Sequence, residues 1–196
     1  LKTVDVTPVP NSITSGVTWA IGGAVATAYR LAFTLGQNDT GYLSGIFNES
    51  IDMVNTMSQG AINAPIRLIG YGTTPGDGGE AIFDSNNTKS NCITIRNNDN
   101  YWSFENIRIT RFTGQGFRTA FATTPSRFIR CEVDNCGGTF GFGVPTYSTA
   151  IDCYAHDNAG HGFSSFEMAF HIGCVAVSNS GDGFFGDGGN HYLNCL

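Results

Sequence analysis

A chain of 196 residues can bury a substantial core, but with only 13% charged residues and 26 glycines it is too poor in charge and too rich in turn formers for a helical bundle. A net charge of −6 with no basic cluster argues against a nucleic-acid partner, which needs lysine and arginine set against phosphates. Six cysteines without a Cys-x-x-Cys pair are too few for a disulfide-stapled scaffold and wrongly spaced for a zinc ribbon or a redox motif.

In chain order, residues 16–36 (GVTWAIGGAVATAYRLAFTLG) carry Arg30 as their one charge and are rich in alanine, threonine and glycine. They read as an amphipathic helix of a soluble protein. The stretch is too weakly apolar for a membrane span and has no basic flank for a signal peptide, so no membrane insertion is expected. Residues 37–100 alternate short apolar runs with turn residues, among them the glycine-rich turn PGDGGE at 75–80. A start at Leu1 and an end at Leu196 lead us to expect a piece of a longer or processed chain.

From 101 onward the chain repeats. The segments 104–117, 128–141, 150–163 and 171–184 align so that Ile107, Cys131, Cys153, Cys174 and Cys195 share one column at spacings of 24, 22, 21 and 21. Two places on come Ile109, Val133, Ala155 and Ala176, and seven places on come Gly114, Gly138, Gly160 and Gly181. Apolar residues at every second position mark a strand with one buried face, here taken to include Ile129, Ile151, Ile172 and Leu193 two places before the cysteine column. No single strand can bury that face, but copies stacked in register can. The expected fold is all-β: a right-handed parallel β-helix with coils of about 21–24 residues, its hand following from the rule for parallel crossovers.

The repeat columns, with the segments TWAIGGAVATAYRLAFTL, GYLSGIFNESI, APIRLIGYGTTPGDGGEAIFD and NCITI before them, resemble the parallel β-helix proteins of the pectate-lyase-like superfamily, which include polysaccharide lyases, pectin hydrolases and phage tailspikes. That resemblance implies one domain over 1–196: a capping helix and entry segment at 16–36, irregular early coils at 37–100 and regular coils at 101–196. It leaves activity open, because this fold hosts many functions.

Several motifs resolve into positions in the stack. The cysteine column reads as buried small side chains, since parallel thiols are badly oriented for disulfides and no histidine or carboxylate shares the column as read. Asn158 and Asn179 read as a turn ladder. GHG at 160–162 is similar to a polygalacturonase motif, but GGTFGFG stands where that family has paired aspartates one coil earlier. Around Asp182 and Asp187, SGDGFFGDGGN faintly resembles calcium-binding repeats, leaving calcium the only cofactor in view.

Strand alternation places Asn106, Arg108 and Thr110, then Arg130, Glu132 and Asp134, then Asp152, Tyr154 and His156 on one outer face, which ends at Gly173, Val175 and Val177. If this patch is catalytic, Glu132, Asp134 and His156 are the acid–base candidates, Glu132 and Asp134 lying at an inverting-glycosidase spacing. Arg108, Arg130, Asp152 and Tyr154 are then substrate contacts. The competing reading is a set of cross-strand ion pairs, Arg108 with Glu132 and Arg130 with Asp152. Tyr101, Trp102 and the loop 140–148 are candidates for a sugar-stacking platform. The expected function is a structural, glycan-contacting module outside the cell or on a virion surface, of tailspike, fibre or decoration type, with homotrimers or appendage subunits as partners. The alternative is a secreted polysaccharide lyase or glycoside hydrolase.

Overall fold

Short runs of valine, isoleucine, phenylalanine and threonine, each closed by a polar or glycine corner, leave the chain no partner for its strands except the next coil. In the computed structural model, which describes residues 18–22, 27–53, 58–96, 100–120 and 125–196, the result is a parallel β-solenoid. The first sheet stacks Ile66–Gly70, Trp102–Glu105, Ser126–Ile129, Thr149–Ile151, Phe170–Ile172 and His191–Leu193. The second stacks Ala81–Asp84, Ile107–Thr110, Glu132–Asp134, Tyr154–His156 and Val175–Val177. The third stacks Ile51–Asp52, Ile93–Arg96, Phe117–Ala120, Phe140–Val144, His161–Ser165 and Phe184–Gly186. One long strand, Thr40–Phe47, runs through both of the first two sheets, pairing Thr40 with Arg67 at one end and Phe47 with Phe83 at the other.

Register follows the sequence columns: Ile109, Val133, Ala155 and Ala176 pair in succession, which sets Cys131, Cys153 and Cys174 one above another on their coils. Gly160 shows why its column is glycine, since a Cβ there would lie 2.1 Å from the Thr139 carbonyl oxygen of the coil beside it. The core is an aromatic stack. Phe117, Phe142, Phe163 and Phe184 lie ring over ring at 5.2, 4.8 and 5.0 Å, with Phe104 and Phe128 packed from the first sheet. Each fully buried phenylalanine contributes about 1.5–3 kcal/mol relative to an exposed one. Asn158 and Asn179 form the expected ladder, Nδ2 of the first donating to Oδ1 of the second at 2.9 Å and to the Val133 carbonyl at 3.1 Å.

From Asn106 onward, each coil turns between the first and second sheets through one left-handed residue: Asn106 (φ 53°), Arg130 (49°), Asp152 (51°), Gly173 (64°) or Asn194 (54°). That residue shifts the inside–outside alternation by one. The lining of the first sheet is therefore Phe104, Phe128, Ala150 and His171, all buried, three places before the cysteine column. This corrects the inward assignment of Ile129, Ile151, Ile172 and Leu193, which face outward; Ile172 is 37% and Leu193 58% exposed.

The N-terminal segment also differs from the long helix expected over 16–36. Thr18–Gly22 is a strand paired in parallel with Thr40–Ser44, and the helix runs only Ala28–Thr34. Thr18, Trp19 and Ile21 favour a strand, and the parts of the expected helix at 16–17 and 23–26 lie outside the described residues. The short helix is well capped. Thr27 Oγ1 accepts from the Arg30 amide at 3.1 Å, and the Glu49 carboxylate accepts from the Ala28 and Tyr29 amides at 2.8 and 3.1 Å, placing negative charge where the helix dipole favours it. Ala28, Leu31 and Ala32 bury its inner side in the core. No helix among the described residues is long and apolar enough to cross a membrane.

Candidate functional site

Parallel pairing in the second sheet puts Glu132 between Arg108 and Tyr154, and Asp134 between Thr110 and His156. Arg108 is the hub. Its Nε donates to Asp134 Oδ2 at 2.9 Å and lies 3.1 Å from Glu132 Oε1, so the cross-strand Arg108–Glu132 pair is present and Asp134 joins it. His156 extends the network, with Nε2 3.2 Å from Glu132 and Nδ1 2.7 Å from Asp157. The Tyr154 ring stacks on the imidazole at 4.3 Å.

The electrostatics divide these groups. Burial disfavours charge on Asp134, but hydrogen bonds from Thr110 Oγ1 and Asn135 Nδ2, both at 2.6 Å, and from Arg108 hold its carboxyl below the usual aspartate range. His156 also loses solvation, yet its bonds to Asp157 and Glu132 raise its pKa. Glu80, on the loop entering this sheet, is raised by desolvation and by the negative charge of Glu132. A carboxylate held ionised beside one made easier to protonate is the separation that acid–base chemistry needs.

Among the described residues, Glu132, Asp134 and His156 bring ligand atoms within 4.8 Å of one another. A divalent metal does not fit there, because the Arg108 guanidinium already lies against both carboxylates where a cation would sit. Asp182 and Asp187 are not in that group.

The other expected site residues sit apart from the hub. Arg130 and Asp152 are the left-handed corner residues, and Arg130 Nε donates to Asn106 Oδ1 at 2.8 Å rather than to Asp152. The polar face ends at half-buried Val175 and exposed Val177, as the sequence suggests. Strand alternation alone missed Glu80 and Asp157: one lies on a loop, and the other is a left-handed residue (φ 54°) just past the strand.

A second feature lies on the outer side of the first sheet. A groove of about 510 Å³ is lined by Ile62, Pro65, Tyr101, Pro125, Arg127 and Tyr147, among others. Trp102 contributes to its floor but is fully buried, so it is no exposed platform. Of the expected loop 140–148, Phe140–Val144 is a strand of the third sheet, which leaves Tyr147, 59% exposed, as its contribution to the groove. Tyr101 and Tyr147 both hold φ near 58°, uncommon for so bulky a residue. Arg127 has no ion pair among the described residues.

No protein-family model matches the sequence, and no curated protein does. Two solved structures are similar. The crystal structure of pectate lyase Pel9A aligns with a TM-score of 0.62 at 20% identity, over 76% of this chain and 42% of that one. A rhamnogalacturonan lyase aligns with a TM-score of 0.44 at 15% identity, over 80% of this chain and 55% of that one. The chain spans less than half the length of the Pel9A structure, and what it shares with it is the architecture: a parallel β-helix of the pectate-lyase-like fold.

Proposed function

We propose that this chain is a glycan-contacting β-helix module, structural in role, working outside the cell or on a virion surface as part of a tailspike, fibre or decoration. The observation that carries the proposal is the tyrosine- and proline-walled groove on the first sheet. The exposed ring of Tyr147 and the half-buried Tyr101, beside an arginine with no ion pair among the described residues, suit a sugar ring and its polar or acidic substituents. The name of the similar Pel9A structure, a pectate lyase, favours the same ligand class. The outer cluster is by contrast largely paired within itself, with Arg108 and His156 each bridging two carboxylates. Subunit contacts would fall at the valine edge of that face.

The test is binding of a panel of acidic and neutral oligosaccharides by calorimetry. Wild type should bind at least one, and Tyr147→Ala should weaken it about tenfold, the loss of roughly one stacking contact. Failure of every glycan to bind removes the proposal. The second reading, a lyase or glycoside hydrolase at the outer cluster, is favoured by the opposed shifts of Glu80 and Asp134. Release of unsaturated or reducing sugars that stops in Asp134→Asn would establish it in place of the structural role.

A further inference from the structure

The interior column of cysteines holds chemistry that neither outer feature uses. Cys131, Cys153, Cys174 and Cys195 are all free thiols. The Cys153 side chain interacts with the thiols of both Cys131 and Cys174, and Cys195 with that of Cys174. Across the corner from Cys174 stands His171, fully buried in the first sheet's lining. Its Nε2 lies 2.7 Å from Ser165 Oγ, while its Nδ1 has no hydrogen-bond partner among the described residues. The ring is stacked on Tyr192 at 5.0 Å and meets Phe163 and Phe184 edge-on, an environment that a phenylalanine would fill without leaving a buried nitrogen unpaired. The imidazole also acts electrostatically on the Cys174 thiol.

We propose that Cys153, Cys174 and His171 form an interior site for a soft monovalent metal ion of the Cu(I) class, bridged between the two sulfurs with Nδ1 as a third donor. Geometry selects the ion. Successive rungs of a parallel sheet stand about 4.8 Å apart. Two metal–thiolate bonds of about 2.3 Å meeting at a trigonal centre span about 4.0 Å, so the two sulfurs need lean together by only about 0.8 Å from the rung spacing. Sulfurs arranged in a line cannot close the tetrahedron that zinc requires, whereas thiolate softness suits Cu(I). With its proton on Nε2, His171 donates to Ser165 and turns the Nδ1 lone pair to the metal. Besides each other, the thiols make long contacts to carbonyls, Cys153 to Ile151 at 3.4 Å and Cys174 to Ala150 at 3.4 Å and to Ile172 at 3.7 Å, which binding would replace. Each thiol gives its proton to water as a sulfur–metal bond forms, and no electron is transferred.

The experiment is an anaerobic titration of the reduced, folded chain with Cu(I) buffered by a chromogenic chelator, repeated with Ag(I) and with Zn(II). Ultraviolet thiolate-to-metal absorption and X-ray absorption at the copper edge are the readouts. One Cu(I) should bind with a first shell of two sulfurs and one nitrogen, Ag(I) should compete for it, and Zn(II) should not. Cys174→Ser should weaken Cu(I) by about a hundredfold and His171→Phe by about tenfold, while Cys136→Ser, outside the column, should leave it unchanged. A copper shell of oxygen and nitrogen only, or of four sulfurs, overturns the proposal, as does equal binding by the Cys153→Ser/Cys174→Ser double variant. The wild-type X-ray spectrum decides the matter even where a variant does not fold.

Discussion

Asp134→Ala measures how firmly the outer cluster clasps neighbouring coils. The carboxylate is 1% exposed and receives hydrogen bonds from Thr110 at 2.6 Å, Arg108 at 2.9 Å and Asn135 at 2.6 Å. Removing one partner from a buried ion pair costs about 3–5 kcal/mol. Arg108 is 34% exposed and keeps Glu132 at 3.1 Å, so its charge stays compensated; Thr110, in contrast, is left buried without its acceptor. The expected loss is therefore at the lower end, about 3 kcal/mol. In a chain of this size that lowers Tm by about 6–12 °C. Scanning calorimetry at neutral pH, with reversibility checked by a second scan, gives the number, and Arg108→Met alone and combined with Asp134→Ala gives the coupling. Because the folded pKa of Asp134 lies below its unfolded value, the stabilisation is complete above that unfolded value and is lost as pH falls through the folded one. The gap between wild type and Asp134→Asn must then narrow on acidification below about pH 4. A Tm shift under about 2 °C for Asp134→Ala, or strictly additive single and double variants, refutes the clasp.

Phe142→Ala, which empties a fully buried position between Phe117 and Phe163, should cost about 3–5 kcal/mol in denaturant unfolding, and a cost under about 1 kcal/mol would contradict the aromatic stack. His156 should titrate above the ordinary histidine value by NMR, and Glu132→Gln should bring it down; since a raised folded pKa stabilises at low pH and that contribution fades as pH rises through it, an unchanged titration would show that the Glu132 contact is absent in solution. Asp77 accepts from the amides of Gly72, Thr73, Thr74 and Gly79, which depress its pKa. Asp77→Asn should therefore speed hydrogen exchange at those amides while leaving the protection of Phe142 unchanged, and equal exchange in both proteins would count against that turn.

The repeat was legible because every coil carries the same column at nearly the same spacing, and the paired register follows it residue for residue through Cys131, Cys153 and Cys174. The second-sheet patch was legible for the same reason: Arg108, Glu132, Asp134 and His156 lie within single strands, where alternation holds. What alternation could not reveal is the left-handed corner. Asn106, Asp152, Gly173 and Asn194 are types that accept a positive φ, but the same types also fill ordinary turns and Arg130 shares their column, so a change of parity there shows only when the column is read across coils. Carrying alternation through that corner turned Ile172 inward and His171 outward, the reverse of their positions, and hid the one histidine that shares the interior with the cysteines. Residues 16–36 misled for a different reason. Alanine suggested helix along the whole stretch, while pairing with Thr40–Ser44 claimed Thr18–Gly22 as strand.

The corners also govern how such a chain tolerates change. In a flat sheet a one-residue slip exchanges lining for wrapping along the whole strand and is rarely survived. Here parity is reset at each corner, so an inserted or deleted residue is absorbed within one side of one coil and the coils beyond keep their lining. Unequal column spacings of 24, 22, 21 and 21 over a single continuous core are the record of such absorption. The outer faces can thus be rewritten one coil at a time on an unchanged interior.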